Sequence, residues 1–219
     1  RCGPQRPFFG LDRPRRLGRK KARRRRVRRL SLSGEALKED FYGSKYTSSR
    51  IKTKKSWKYG RFEIRAKLPQ GIGTWAAFWG LPTEWKHGNW PNSGEIDVLE
   101  HVGFEEGHIV SSVHNTAHHG DLSRSDQTKY VVANNVVNSF NDYVLEWDEK
   151  EIKTFINEKL IFSYPKNDQP WERWPFDEKF HFILNIAIGG NWGGMKGIDD
   201  TAFPTRMEVE HFRVYKKKT

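Results

Sequence analysis

Trp90-Pro-Asn-Ser-Gly-Glu-Ile-Asp-Val-Leu-Glu-His101 places three carboxylates within six residues of an otherwise apolar run. Side chains alternate along a strand, so Glu95 and Asp97 share one face while Ile96 and Val98 point into a core. Glu100 has the wrong parity for that face. One extra residue, a β-bulge near Val98 or Leu99, restores it and projects all three acids together. Like charges gathered in this way do not all ionise cheaply, so at least one of the acids is expected to hold its proton near neutral pH. Cleavage of a glycosidic bond with retention needs a carboxylate nucleophile and a carboxylic acid about 5 to 5.5 Å apart. Glu95 and Glu100 are the candidates, and Asp97 lies between them. The competing reading is a solvated edge strand whose acids pair with Arg65 or Lys67 across the sheet.

Outward from this segment the chain reads as an all-β sandwich. In Arg61-Phe-Glu-Ile-Arg-Ala-Lys-Leu68, Phe62, Ile64, Ala66 and Leu68 form the apolar side, with Glu63 and Arg65 opposite. Gln70-Gly-Ile-Gly73 is a turn, and Thr74 to Trp79 is a strand with Trp75, Ala77 and Trp79 on one face. Further strands are expected at Ile109 to Thr116, Tyr143 to Trp147, Ile152 to Ile156, Leu160 to Tyr164, His181 to Ile188 and Met207 to Tyr215. Gly189-Gly-Asn-Trp-Gly-Gly194 and residues 167 to 174 read as loops able to border a cleft.

Nine tryptophans and a 14% aromatic share supply both a core and flat rings for sugar faces. Trp75, Trp79, Trp90 and Trp192 lie in segments near the acids, and Trp90 sits in the turn just before them. His114 shares a face with Ser112, and Asn185 is polar where its neighbours Leu184 and Ile186 are not. Arg65 is a further candidate for substrate contact. His114 and His118 are separated by about 13 Å on an extended strand, too far for one ion to bridge.

The net charge of +12 is local. The first 30 residues hold 14 of the 39 Lys and Arg and one of the 27 acids, which leaves 25 basic against 26 acidic groups in the rest. Residues 1–35 therefore read as a basic leader, disordered or non-native, and residues 36–219 as one β-sandwich domain. The run from Arg13 to Arg29 is the only feature that suggests nucleic acid, and no such partner is expected. A single cysteine, Cys2, allows no internal disulfide. No stretch approaches a membrane span, and the N-terminus lacks the apolar middle of a secretory signal.

Several blocks together resemble the bacterial laminarinases of glycoside hydrolase family 16. They are Tyr46-Thr-Ser-Ser-Arg-Ile-Lys-Thr53, Tyr59-Gly-Arg61, Gly73-Thr-Trp-Ala-Ala-Phe-Trp79, Trp90-Pro with Gly94-Glu-Ile-Asp-Val-Leu-Glu100, Leu184-Asn-Ile-Ala-Ile-Gly-Gly-Asn-Trp192 and Phe212-Arg-Val-Tyr215. The resemblance implies a concanavalin A-like jelly roll with a concave cleft and retaining endo-cleavage of β-1,3 or mixed β-1,3/1,4 glucan. It implies Glu95 as nucleophile, Glu100 as acid and then base, and Asp97 as the group between them. It also favours Trp79, Trp90, His114 and Asn185 as cleft residues.

Such a protein is expected to be a secreted or periplasmic monomer without a cofactor. Two departures stand out. The family's first strands have no counterpart before Tyr46, where the basic leader stands instead, so part of the core is expected to lie uncovered. A structural calcium would rely on Glu210 with its partners missing, so no site, or a weak one, is expected. A marine galactan of the agar or carrageenan type is the alternative substrate, and a non-catalytic carbohydrate-binding jelly roll the alternative role.

Overall fold

The computed structural model describes residues 29–120 and 128–216. They form two antiparallel sheets packed face to face. One has seven strands, ordered β11 (Lys159–Pro165), β10 (Glu151–Ile156), β9 (Asn141–Trp147), β4 (Gly60–Lys67), β13 (Thr205–Tyr215), β1 (Leu30–Phe41) and β2 (Ser44–Ser48). The other has six, ordered β3 (Arg50–Lys52), β12 (Phe180–Ile188), β5 (Thr74–Pro82), β6 (Glu95–Val102), β7 (His108–His114) and β8 (Thr128–Val132). Each expected strand is present, with ends moved by a few residues. The sandwich class holds, and among the described residues no helix is long and apolar enough to cross a membrane.

Period-two alternation explains the layering. On β4, Phe62, Ile64 and Ala66 are fully buried, while Arg61, Glu63 and Arg65 line the outer surface. Phe78 from β5, Ile96 and Leu99 from β6, Leu145 and Trp147 from β9, and Phe182 from β12 fill the space between the sheets. Phe62 and Phe182, one from each sheet, meet with ring centroids 4.3 Å apart, and Phe78 lies 5.6 Å from Phe182. This aromatic contact ties the sheets at the layer beneath the acidic strand.

The leader is shorter than the sequence reading places it. Residues Leu30 to Gly34 pair with Val209 to Thr205, so the last part of the segment assigned to 1–35 belongs to the sheet. The cause is the alternation Leu30-Ser-Leu-Ser, which starts where the arginines stop and buries Leu32 at 1% exposure. Arg29 follows the same logic, since its guanidinium lies 3.7 Å from Glu208 and 4.0 Å from Glu210 on β13. Residues 1–28, which carry the rest of the basic run, lie outside the described residues.

A recess of about 290 Å3 enters between the sheets beside the three-residue strand β3. Leu30, Ile51, Phe78, Phe182, Leu184, Val209 and Phe212 line it, and Leu30 and Ile51 are 44% and 40% exposed. Against the expectation that no early strand precedes Tyr46, β1 lies beside this recess, and among the described residues Leu30 and Ile51 leave apolar surface open there.

Removing the Phe182 ring should leave a void at the meeting point of both sheets. Phe182→Ala is expected to lower stability by roughly 3–5 kcal/mol in urea unfolding, whereas Leu160→Ala, at an exposed edge, should cost well under 1 kcal/mol.

Candidate active site

The acidic strand is irregular at the place that its spacing requires. Against β5, Leu99 pairs with Phe78 but Asp97 pairs with Trp79, so Val98 is an added residue. Against β7, Asp97 pairs with Ser112 and Glu100 with Val110, which spans the same bulge. Val98 and Leu99 are both sunk in the core, at 1% and 0% exposure, and Glu95, Asp97 and Glu100 emerge together on the outer face of the six-stranded sheet. The Ser111 hydroxyl donates to the Val98 carbonyl at 2.6 Å, supplying a partner where the ladder is interrupted. Gly94 allows the entry into this strand. Its φ is +87°, and a Cβ there would lie 2.8 Å from Pro175 and 2.9 Å from Phe176.

Cross-strand pairing then assembles the surroundings. Glu95 faces His114 and Asp97 faces Ser112 across the β6–β7 ladder. Asp97 accepts from Ser112 Oγ at 2.9 Å and lies 3.1 Å from His114 Nε2. Trp75 Nε1 donates to Glu100 at 3.0 Å, and Trp79 Nε1 donates to Asn185 at 2.7 Å. Trp192 stands edge-on to Trp75, with centroids 5.4 Å apart. Gly193 makes this possible, because a Cβ there would meet the Gly189 carbonyl at 2.6 Å and Trp75 at 2.9 Å. Trp90, 45% exposed, lies 6.1 Å from His114 and 5.2 Å from His119. A cavity of about 290 Å3 is bounded by Arg50, Trp75, Ala77, Trp79, the three acids, Asn185 and Ala187.

Burial decides the protonation of this cluster. It is the first cause raising Glu95, followed by the Asp97 charge, and together they push Glu95 up to about 9. Burial and then Asp97 also hold Glu100 well above the carboxylate range, against the opposing Trp75 hydrogen bond. His114 is different. Burial pulls its pKa down, but the hydrogen bond to Asp97 and the charges of Asp97 and Glu95 more than offset this, so it is raised. The His114 charge lowers the pKa of Glu95, and the Trp75 hydrogen bond lowers that of Glu100, so the two glutamates have different surroundings.

Of the ten site residues inferred from sequence, six line this cavity (Glu95, Asp97, Glu100, Trp75, Trp79 and Asn185), His114 and Trp192 touch lining residues, and Trp90 lies against His114. Arg65 is apart from them. It lies on β4 in the opposite sheet, facing outward, where Asp142 takes it at 3.1 Å and Glu210 at 3.0 Å. Its position in the alternation separates it from the core but does not reveal which sheet it joins. The same geometry removes the edge-strand alternative, since neither Arg65 nor Lys67 reaches the acids; Lys67 pairs with Glu208. Glu210, the acid considered for calcium, pairs with Arg65 at 3.0 Å and lies 4.0 Å from Arg29.

Sequence reading missed Ser111, Arg50 and the link between Ser112 and Asp97. The adjacent serines in an otherwise apolar strand were the available signal for two of these. Arg50 gave none, because the three-residue strand that presents it is too short for a pattern.

Comparison with known proteins follows the same geometry. The sequence profile of glycosyl hydrolases family 16 matches residues 20–210. A beta-glucanase of Rhodothermus marinus is 42% identical over 193 residues, which cover 83% of this chain and 66% of that protein. The glucan endo-1,3-beta-glucosidase A1 of Niallia circulans is 36% identical over 190 residues, covering 80% of this chain and 27% of that one. This chain thus spans less than two thirds of the length of these curated relatives. The X-ray structure of the laminarinase from Rhodothermus marinus superposes with a TM-score of 0.82 at 40% identity, over 87% of this chain and 78% of that one. With a match along most of its length and the same jelly-roll architecture, the chain belongs to glycosyl hydrolases family 16.

Proposed function

We propose that this chain is a retaining endo-hydrolase of β-1,3-linked or mixed β-1,3/1,4 glucan, of the laminarinase type. One observation carries the reading: the bulge at Val98 turns two glutamates, otherwise of opposite parity, into one tryptophan-walled cleft. The beta-glucanase, endo-1,3-beta-glucosidase and laminarinase named above support a glucan over a galactan. Polymers of this kind do not enter cells, so a secreted or periplasmic monomer is the setting we infer.

The chemistry follows from the unequal glutamates. The His114 charge lowers the Glu95 pKa against the pull of burial, and Glu95 in its ionised form attacks the anomeric carbon as the glycosidic bond breaks. Glu100 is buried and held protonated, and it delivers its proton to the leaving oxygen. A covalent glycosyl-Glu95 ester results. Glu100, now an anion steadied by the Trp75 N–H, takes a proton from water, whose oxygen attacks the same carbon. Two inversions restore the β configuration. Asp97, held by Ser112 and His114, stands between the two glutamates. The two carboxylates suffice for these steps, and no cofactor enters them.

Laminarin, lichenan and agarose offered side by side test the reading. Laminarin should release reducing ends that appear first as the β anomer in proton NMR. Glu100→Gln should lower kcat by roughly 10²–10⁴-fold, and Glu95→Gln by at least as much. Release from agarose alone, or initial α product, would refute the assignment.

The cluster should also make the active protein less stable than a disabled one. A carboxyl whose pKa is raised on folding contributes stability below its ordinary value, and that contribution is lost as pH rises through the folded value. For Glu95 the window runs from 4.5 to about 9. Thermal melts at pH 7 should therefore show Glu95→Gln stabilised by roughly 1–3 kcal/mol, with the gain vanishing near pH 4.

A further inference from the structure

The cations of β4 and those of β3 have different surroundings. On the seven-stranded sheet every strand-centre cation beside β4 is matched: Arg61 with Glu146 at 2.6 Å, Arg65 with Asp142 and Glu210, Lys67 with Glu208. On the six-stranded sheet, Arg50 and Lys52 occupy the edge strand β3, two residues apart and so on one side by alternation; Arg50 borders the acidic cavity, and Lys52 stands at the rim where the recess between the sheets opens beside Ile51. Among the described residues neither cation has a carboxylate within 4 Å.

Both belong to the cleft face. Arg50 is opposite Asn185 and Lys52 opposite Ile183 in the ladder with β12. The Arg50 guanidinium lies 5.0 Å over the Trp79 ring and lines the same cavity as the acids. His181 adds a third basic group. Burial first, and then the Lys52 and Arg50 charges, hold its imidazole below the ordinary value.

The opposite end of this face is acidic. β6 lies three strands from β3, a distance of roughly 14 Å at 4.8 Å per strand. An anionic substituent next to the scissile bond would meet Asp97. One on a more distant sugar would meet two unpaired cations and the face of Trp79.

We propose that the β3 end of the cleft is a subsite for a negatively charged sugar, so that the chain takes β-glucan bearing sulfate esters or carboxylates away from the bond that is cut. This rests on the glucan reading above and adds to it the charge of the substrate.

Binding to the Glu95→Gln chain separates the two claims, because no turnover is needed. Dissociation constants would be measured for laminarin, carboxymethylated laminarin and sulfated laminarin, each at low and at 0.5 M added salt (about 4 Å of screening length). The structure predicts that at least one anionic polymer binds more tightly than laminarin. Lys52→Gln should reduce that preference by roughly fivefold, and Arg50→Gln by at least as much. Salt should reduce it for the unsubstituted cleft and leave laminarin affinity nearly constant. A response to the sulfated polymer alone assigns sulfate esters, and a response to the carboxymethylated one alone assigns carboxylates. An anionic-to-neutral ratio that Lys52→Gln does not change overturns the proposal, even if wild-type protein hydrolyses laminarin. Failure of the wild-type chain to cleave laminarin, with the ratio still falling in Lys52→Gln, would instead overturn the glucanase reading and keep the charged subsite.

Discussion

The added residue at Val98 is the constraint on which the rest of the molecule depends. Without it, Glu100 would face Phe78 and Phe182 in the core, where an acid has no partner and would cost several kcal/mol. With it, two consecutive apolar side chains, Val98 and Leu99, are both buried and the acid turns outward. The sheet loses regular pairing at that point and recovers part of it through the Ser111 hydroxyl. A local irregularity in the ladder thus becomes a pair of carboxyls aimed at one sugar.

Placing three acids in one dry spot has an electrostatic consequence that the chemistry uses. The site holds fewer charges than it has carboxyls, and His114, reached through Asp97, biases where the remaining charge sits. The same face carries Arg50 and Lys52 at its far edge, with no carboxylate within 4 Å among the described residues, whereas the cations of β4 on the opposite sheet are matched by acids. The polarity of the cleft therefore runs from acidic at β6 to basic at β3. A polymer lying across the strands would sense that gradient along its length.

Much of this was legible in the chain. The parity conflict between Glu95 and Glu100 pointed to a bulge, and alternation located most strands, because both signals are local and the side-chain period is fixed. The sheet to which a strand belongs is not local information, and for this reason Arg65 was assigned to the wrong surface. Leu30-Ser-Leu-Ser was obscured by the arginines before it, since charge density spoke for disorder while alternation spoke for a strand. Arg50 and Ser111 depend on tertiary pairing, on a three-residue strand and on a carbonyl left over by the bulge; the adjacent serines of an apolar strand hint at the second, and nothing local marks the first.

A carboxyl-13C NMR titration of glutamate-labelled protein, with Glu95→Gln and Glu100→Gln for assignment, addresses the central claim most directly. Both resonances should titrate well above the ordinary range of about 4.3, and each should shift when the other is replaced. Two independent titrations near that ordinary value would show that the acids do not share a buried site, and the account built on the bulge would fall.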